Sequence, residues 1–153
     1  MRGWSKMKVK DFYIRDITAV LEDESVSRVL KILSRQEITG VPVVNEDYKV
    51  VGFISENDII RAALPSYFSL LQTASFIPDL NQFVRSLKKI SNKSVSEIMT
   101  KPAIVIKEDT PLLHAADLMI RHSLKILPVV DDGERLVGVI TRMRILDTVS
   151  RED

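Results

Sequence analysis

The chain repeats itself. Shifted by 86 places, residues 9–63 fall on residues 95–149 without a gap, and about one position in five is identical. Val9 meets Val95, Glu22 and Asp23 meet Glu108 and Asp109, and Pro42, Val43 and Val44 meet Pro128, Val129 and Val130. Val51 and Gly52 meet Val137 and Gly138, Ile54 meets Ile140, and Ile59 meets Ile145. A unit of about 55 residues is therefore duplicated. A chain that short is near the lower limit for independent folding, so the two copies are expected to bury a shared face.

Each copy has a readable order of elements. In the first, two β-branched runs, VPVV at 41–44 and VVGFI at 50–54, flank the polar break NEDYK at 45–49, which is a hairpin pattern. Ser55 and Asp58 then precede Ile59, Ile60 and Leu64, and a serine with an acid three places on marks a helix start. Upstream, residues 17–21 read as extended and Asp23, Glu24 and Ser25 as a helix-start signal. Val26, Val29, Leu30 and Leu33 follow at near 3.6 spacing. Gly40 is expected to let the chain turn into the strand, and Pro42 to sit at a strand start or edge. In the second copy residues 103–106 read as extended, and Thr110 and Pro111 open a helix whose apolar face is Leu112, Ala115, Ala116, Met119 and Ile120. Each unit is β-α-β-β-α, which argues an α/β or α+β fold. Residues 65–93 join the two as a helical connection, with an aromatic- and leucine-rich stretch at 66–76 and a helix beginning near Pro78 and Asp79 that carries Leu80, Phe83, Val84, Leu87 and Ile90. It reads either as an insertion packed on the two units or as a dimer contact or lid.

Composition narrows the function classes. The net charge of +1 gives no footprint for nucleic acid or for a charged membrane surface. There is no cysteine, which removes disulfides, thiolate metal sites and thiol nucleophiles. No apolar run nears the roughly 20 residues of a membrane span, and no signal-peptide pattern opens the chain, so a cytoplasmic setting is expected. Residues 1–6 (MRGWSK) precede a second methionine, Met7, and read either as native or as a leader.

These motifs, GVPVV with VVGFISENDII and ILPVV with LVGVITRMRIL, resemble the cystathionine-β-synthase (CBS) domain pair, or Bateman module. The resemblance implies tandem CBS domains, repeat 1 over residues 9–64 and repeat 2 over residues 94–150, packed with pseudo-two-fold symmetry. It also implies a stand-alone regulatory module that binds an adenosyl ligand (AMP, ADP, ATP or S-adenosylmethionine) between its repeats, forms a homodimer and acts on a separate regulated protein. No cofactor is required, and magnesium would enter only with ATP.

The local chemistry agrees with that reading without compelling it. Where the strand ends at Ile54 and a helix begins, free N–H groups and the positive dipole end can hold an anion. Asp58, acceptor-only when ionised, can take two hydrogen bonds from adjacent ribose hydroxyls. It can equally close a capping box with Ser55. The family pattern implies a nucleotide site built from Thr39, Gly40, Val41, Ser55, Asn57 and Asp58 of repeat 1 with Thr100, Ala103, Ile104, Lys125, Ile126 and Leu127 of repeat 2. Within it Ile104 and Ile126 would sandwich the adenine, and Lys125 reads either as a phosphate partner or as a solvated surface lysine. A second cleft would comprise Ile17, Thr18, Thr141, Arg142 and Arg144, with Ile14, Thr39 and Val41 at matching positions. There Arg144 replaces the aspartate. A guanidinium cannot accept from a diol, so this cleft is expected to be empty or to turn a phosphate toward Arg144 and Arg142, unless Arg144 simply pairs with Asp147.

Catalysis is not expected. His114 and His122 lie eight apart, which is not a metal-pair spacing, and neither a P-loop, a dinucleotide fingerprint nor a nucleophile beside a base is present. The alternative to nucleotide sensing is a structural dimerisation module with both clefts unused.

Overall fold

In a computed structural model, residues 7–64 and 80–151 are described. Repeat 1 runs β1 (Val20–Leu21), α1 (Val26–Gln36), β2 (Gly40–Val44), β3 (Val50–Ser55) and α2 (Glu56–Ala63), followed by α3 (Leu80–Ser91). Repeat 2 runs β4 (Ile106–Lys107), α4 (Leu112–Arg121), β5 (Ile126–Val130), β6 (Leu136–Thr141) and α5 (Arg142–Ser150). The two three-stranded sheets are ordered β1-β2-β3 and β4-β5-β6, the outer pair parallel and the hairpin antiparallel in each. This is a mixed α+β architecture. The stretch 66–76 and residues 78–79, where the connecting helix was expected to start, lie outside the described residues.

The duplication extends to backbone detail. The left-handed residues are Glu37 and Tyr48 in one copy and Ser123 and Glu134 in the other, each pair 86 apart. The hairpin turns are held by Asn45 Oδ1, which accepts from the Asp47 and Lys49 amides, and by Asp131 Oδ1, which accepts from Gly133 and Arg135. Ser25 caps α1 by accepting from the Arg28 amide at 3.2 Å.

Several local expectations are corrected. Of the extended run at 17–21 only Val20–Leu21 is strand, and the strand expected at 103–106 falls at Ile106–Lys107, because those are the residues that pair with Val43–Val44 and Val129–Val130 respectively. Pro111 sits at the N-cap of α4 instead of inside it. Gly40 makes no turn. The turn is made by Glu37 (φ 55), and Gly40 lies within β2, where a Cβ would meet the Phe53 ring at 2.5 Å. Pro42 stands in the middle strand of its sheet. Its register partner Phe53 exchanges both backbone bonds with Thr100, so Pro42 and Phe53 are a non-hydrogen-bonded pair. The missing N–H of Pro42 therefore points to the other side, where β1 pairs only with the later Val43 and Val44, and the strand is locally an edge.

The shared burial of the halves is an exchange of their leading segments. Residues before β1 pack on repeat 2. The Val9 amide donates to the Thr110 carbonyl at 2.8 Å, and Ile14 exchanges bonds with Val139 at 2.7 and 3.0 Å. Residues before β4 pack on repeat 1. The Val95 amide donates to the Glu24 carbonyl at 2.8 Å, and Thr100 exchanges bonds with Phe53 at 2.9 and 3.0 Å. Each core is thus completed from the other half. Val95, with Ile90 of α3, joins Val26, Val29, Val43 and Ile54, while Val9 and Tyr13 join Met119, Leu127, Val129 and Ile140. Tyr13 also donates to Glu108 Oε2 at 3.0 Å, with the Arg15 guanidinium 4.5 Å from its ring centre. Burial raises the phenol above its ordinary value, the bond to and charge of Glu108 add to this, and Arg15 opposes it.

The repeated glycines mark these crossings. A Cβ on Gly138 would lie 2.3 Å from the Ile14 carbonyl oxygen, and one on Gly52 would lie 2.5 Å from Met99 Sδ. The first obstacle is backbone and the second the end of a flexible side chain. In urea titrations Gly138→Ala is expected to cost about 1–3 kcal/mol, and Gly52→Ala less, because Met99 can swing aside. Equal losses would contradict this account of the crossing.

Candidate functional site

The site lies where β3 passes into α2. Ser55 is the N-cap, and the capping box is complete. Ser55 Oγ accepts from the Asp58 amide at 3.4 Å, and Asp58 Oδ2 accepts from the Ser55 amide at 2.9 Å and from Ser55 Oγ at 3.1 Å. Asp58 is 6% exposed and is the buried charged residue among those described. Its second oxygen faces the other repeat. Oδ1 accepts from the Thr100 hydroxyl at 2.8 Å and from Arg61 Nη1 at 3.4 Å. Four donors fill the roughly four acceptor positions of a carboxylate. Asp58 caps the helix through Oδ2 and presents Oδ1 to the crossing segment of repeat 2. The longest of these four bonds is that from Arg61, whose side chain is 75% exposed.

A cleft opens beside this carboxylate. It brings together Thr39, Ser55, Asn57 and Asp58 from repeat 1 with Thr100, Ile104, Lys125 and Ile126 from repeat 2. The remaining expected residues are placed elsewhere. Val41 and Leu127 are 1% and 0% exposed and belong to the two cores. Gly40 is buried against the Phe53 ring, and Ala103 is half-buried outside the cleft lining. The reason is strand alternation: Ile126 and Pro128 face the cleft while Leu127 and Val129 face the core. The cleft also has walls that sequence reasoning missed, namely Phe53, Glu56, Ser123, Leu124 and Pro128. Glu56 and Pro128 adjoin expected residues and were within reach of the motif. Ser123 gives no signal beyond its equivalence to the other left-handed residue, Glu37.

The second set is arranged differently. Thr18 Oγ1 donates to Gln36 Oε1 at 2.9 Å, Thr141 Oγ1 caps α5 by accepting from the Arg144 amide at 3.0 Å, and Ile17 is half-buried. The Arg142 amide donates to the Lys125 carbonyl at 3.1 Å. The expected pairing of Arg144 with Asp147 is replaced. Arg144 Nε donates to the Phe12 carbonyl at 2.9 Å, and Asp147 pairs with Arg151 at 3.1 Å instead. Asp147 and Arg151 are four apart on one face of α5, and Arg144 in the first turn reaches the crossing segment instead. Equivalent residues thus grip equivalent segments by opposite chemistry. Asp58 accepts from Thr100, and Arg144 donates to the segment carrying Phe12.

Both histidines are exposed, and His122 forms the C-cap of α4. Among the described residues no group of three or more His, Asp or Glu is placed to hold a metal ion, and no helix is long and apolar enough to cross a membrane.

Comparison with known proteins agrees with this geometry. Residues 9–65 and 95–151 each match the CBS domain family. The chain belongs to the CBS domain family. As a CBS pair it is similar to protein MJ1426 of Methanocaldococcus jannaschii, with 33% identity covering 94% of this chain and 91% of that one. The structure of CBSX2 of Arabidopsis thaliana in complex with AMP aligns with a TM-score of 0.73 and 26% identity, covering 94% of this chain and 96% of that one. The CBS pair of protein MJ0100, in complex with 5′-methylthioadenosine and S-adenosylmethionine, aligns with a TM-score of 0.68 and 27% identity over 94% and 96% of the two chains.

The bond across the repeats gives a test of the site in isolation. Thr100→Val removes a donor to a buried carboxylate and is expected to cost about 1.5–3 kcal/mol in urea denaturation. In a double-mutant cycle with Asp58→Ala, the coupling energy should reach about 0.5–3 kcal/mol, whereas additivity within about 0.5 kcal/mol would mean that the contact carries no energy.

Proposed function

We propose that this CBS pair is a regulatory module that binds an adenosyl ligand (AMP, ADP, ATP or S-adenosylmethionine) in the cleft between its repeats, and that it binds rather than transforms that ligand. The observation that carries the reading is the buried Asp58 carboxylate at the cleft wall. A ribose presents two adjacent hydroxyl donors. They can replace the long contact from exposed Arg61 at Oδ1, and share or displace that from Thr100, without breaking the capping box at Oδ2. Ile104 and Ile126 offer branched apolar faces to a flat base, and Thr39 and Lys125 stand where a phosphate can reach them. The solved relatives with AMP and with 5′-methylthioadenosine and S-adenosylmethionine support the ligand class.

Regulation follows from where the ligand sits. Its ribose would meet a carboxylate of repeat 1 that is bonded to a segment of repeat 2, so binding bears on the contact joining the halves. A ligand shifts a conformational equilibrium only by its differential affinity for the two states, and the Asp58–Thr100 contact is a place where states can differ. A second reading, a pairing module without ligand, draws on the exposed apolar residues of α4 and α5: Leu113, Ile120, Met143 and Leu146 are 61–82% exposed. That face also fits a homodimer of the ligand-binding module.

Calorimetry separates the readings. The wild-type chain is expected to bind AMP saturably, and Asp58→Ala to lose that binding. A ligand present at 100 times its Kd should also stabilise the fold by about 2.7 kcal/mol. Melting temperatures unmoved by millimolar concentrations of all four ligands would favour the pairing module. Unchanged affinity in Asp58→Ala would contradict the role given to the carboxylate.

A further inference from the structure

We infer that the Asp58 cleft selects among adenosyl ligands by charge, taking those with at most one phosphate, or a cationic sulfonium, in preference to a triphosphate, and that Glu56 sets this selectivity. The inference rests on the proposed ligand class and adds to it the charge that the ligand carries.

Among the described residues, the ionisable side chains of the cleft wall are Glu56, Asp58 and Lys125, two acids against one base. A helix start normally offers a phosphate free amides and a partial positive charge. Here much of that capacity is already engaged. The Glu56 amide donates to the Thr39 carbonyl at 2.9 Å, and the Asp58 amide donates to Ser55 Oγ at 3.4 Å. Two carboxylates in the first turn, Glu56 and Asp58, already complement the dipole. Arg61 lies outside the cleft lining with its side chain 75% exposed, so a diol that displaces it from Asp58 returns its charge to solvent and not to the phosphate. Lys125 remains to answer the charge of one phosphate. A monophosphate carries about −1.5 to −2 at neutral pH. A longer phosphate chain adds negative charge in a cleft where Glu56 repels it, and like charges brought together at a binding surface act mainly on specificity. A sulfonium would find the same acid favourable.

The other copy is a built-in contrast. The first turn of α5 has no acid and carries Arg142 and Arg144 behind the neutral cap Thr141. One duplicated helix start has thus become acidic and the other basic, and the charge of residue 56 is the part of that divergence that touches the Asp58 cleft without serving the capping box.

The test is titration calorimetry of the full chain with adenosine, AMP, S-adenosylmethionine and ATP, at fixed ionic strength and without divalent cations, so that ATP keeps its full charge. Glu56 is exposed, so Glu56→Gln and Glu56→Lys leave the core untouched. ATP is expected to bind the wild-type chain at least about tenfold more weakly than AMP, Glu56→Gln to narrow that ratio about threefold, and Glu56→Lys to narrow it further. S-adenosylmethionine should move the opposite way, losing affinity as the acid is removed. ATP binding as tightly as AMP, or a ratio unmoved in both variants, would overturn the charge selectivity and leave the ligand class standing. No heat with any of the four ligands would overturn both.

Discussion

The exchange of leading segments between the two repeats is the constraint on which the rest depends. A unit of this size is near the lower limit for independent folding, and each copy here finishes its core with residues from before the other's first strand. The joint is made of paired backbone bonds, Ile14 with Val139 and Thr100 with Phe53. Such bonds need close approach, and the glycines at 52 and 138 provide the room. At 138 the glycine is required by backbone of the neighbouring half, and at 52 the space it leaves is filled by the Met99 side chain.

The site is a by-product of that joint. Thr100 arrives beside Asp58 because its backbone is paired with Phe53, two residues before the helix cap. The carboxylate then serves two masters, one oxygen closing the helix start and the other facing the crossing segment. Burying a charge is costly unless it is fully hydrogen-bonded, and Asp58 meets that condition with four donors. A diol that reached Oδ1 would meet the Thr100 hydroxyl already bonded there. In the other copy the arginine at the equivalent place holds its segment through a carbonyl, so the joint is kept while the capacity to accept a diol is absent.

Much of this was legible in the sequence, for identifiable reasons. The shift of 86 revealed both hairpins and both helix starts, because turn residues and caps are local signals read at fixed offsets. Ser55, Asp58 and Thr100 were found together because the family pattern joins them. What stayed hidden depended on partners far along the chain. Nothing in the periodicity says that Val9 belongs to the core of repeat 2 or Val95 to that of repeat 1. The family pattern implies the unbroken runs 39–41 and 125–127, but alternate residues of a strand face opposite sides, and the Val41 and Leu127 side chains point into the cores. Gly40 was read as a turn residue when it makes room for Phe53, and Arg144 was given a helical neighbour when it reaches across to Phe12.

In the proposed function a nucleoside is held at Asp58 Oδ1, the oxygen that faces Thr100. The most direct measurement is a crystal structure of the protein grown with AMP. Both ribose hydroxyls are expected within about 2.5–3.0 Å of the Asp58 carboxylate, with Arg61 moved away and the capping box intact. A nucleotide bound elsewhere, with Asp58 still held by Thr100 and Arg61 as it is here, would contradict that function.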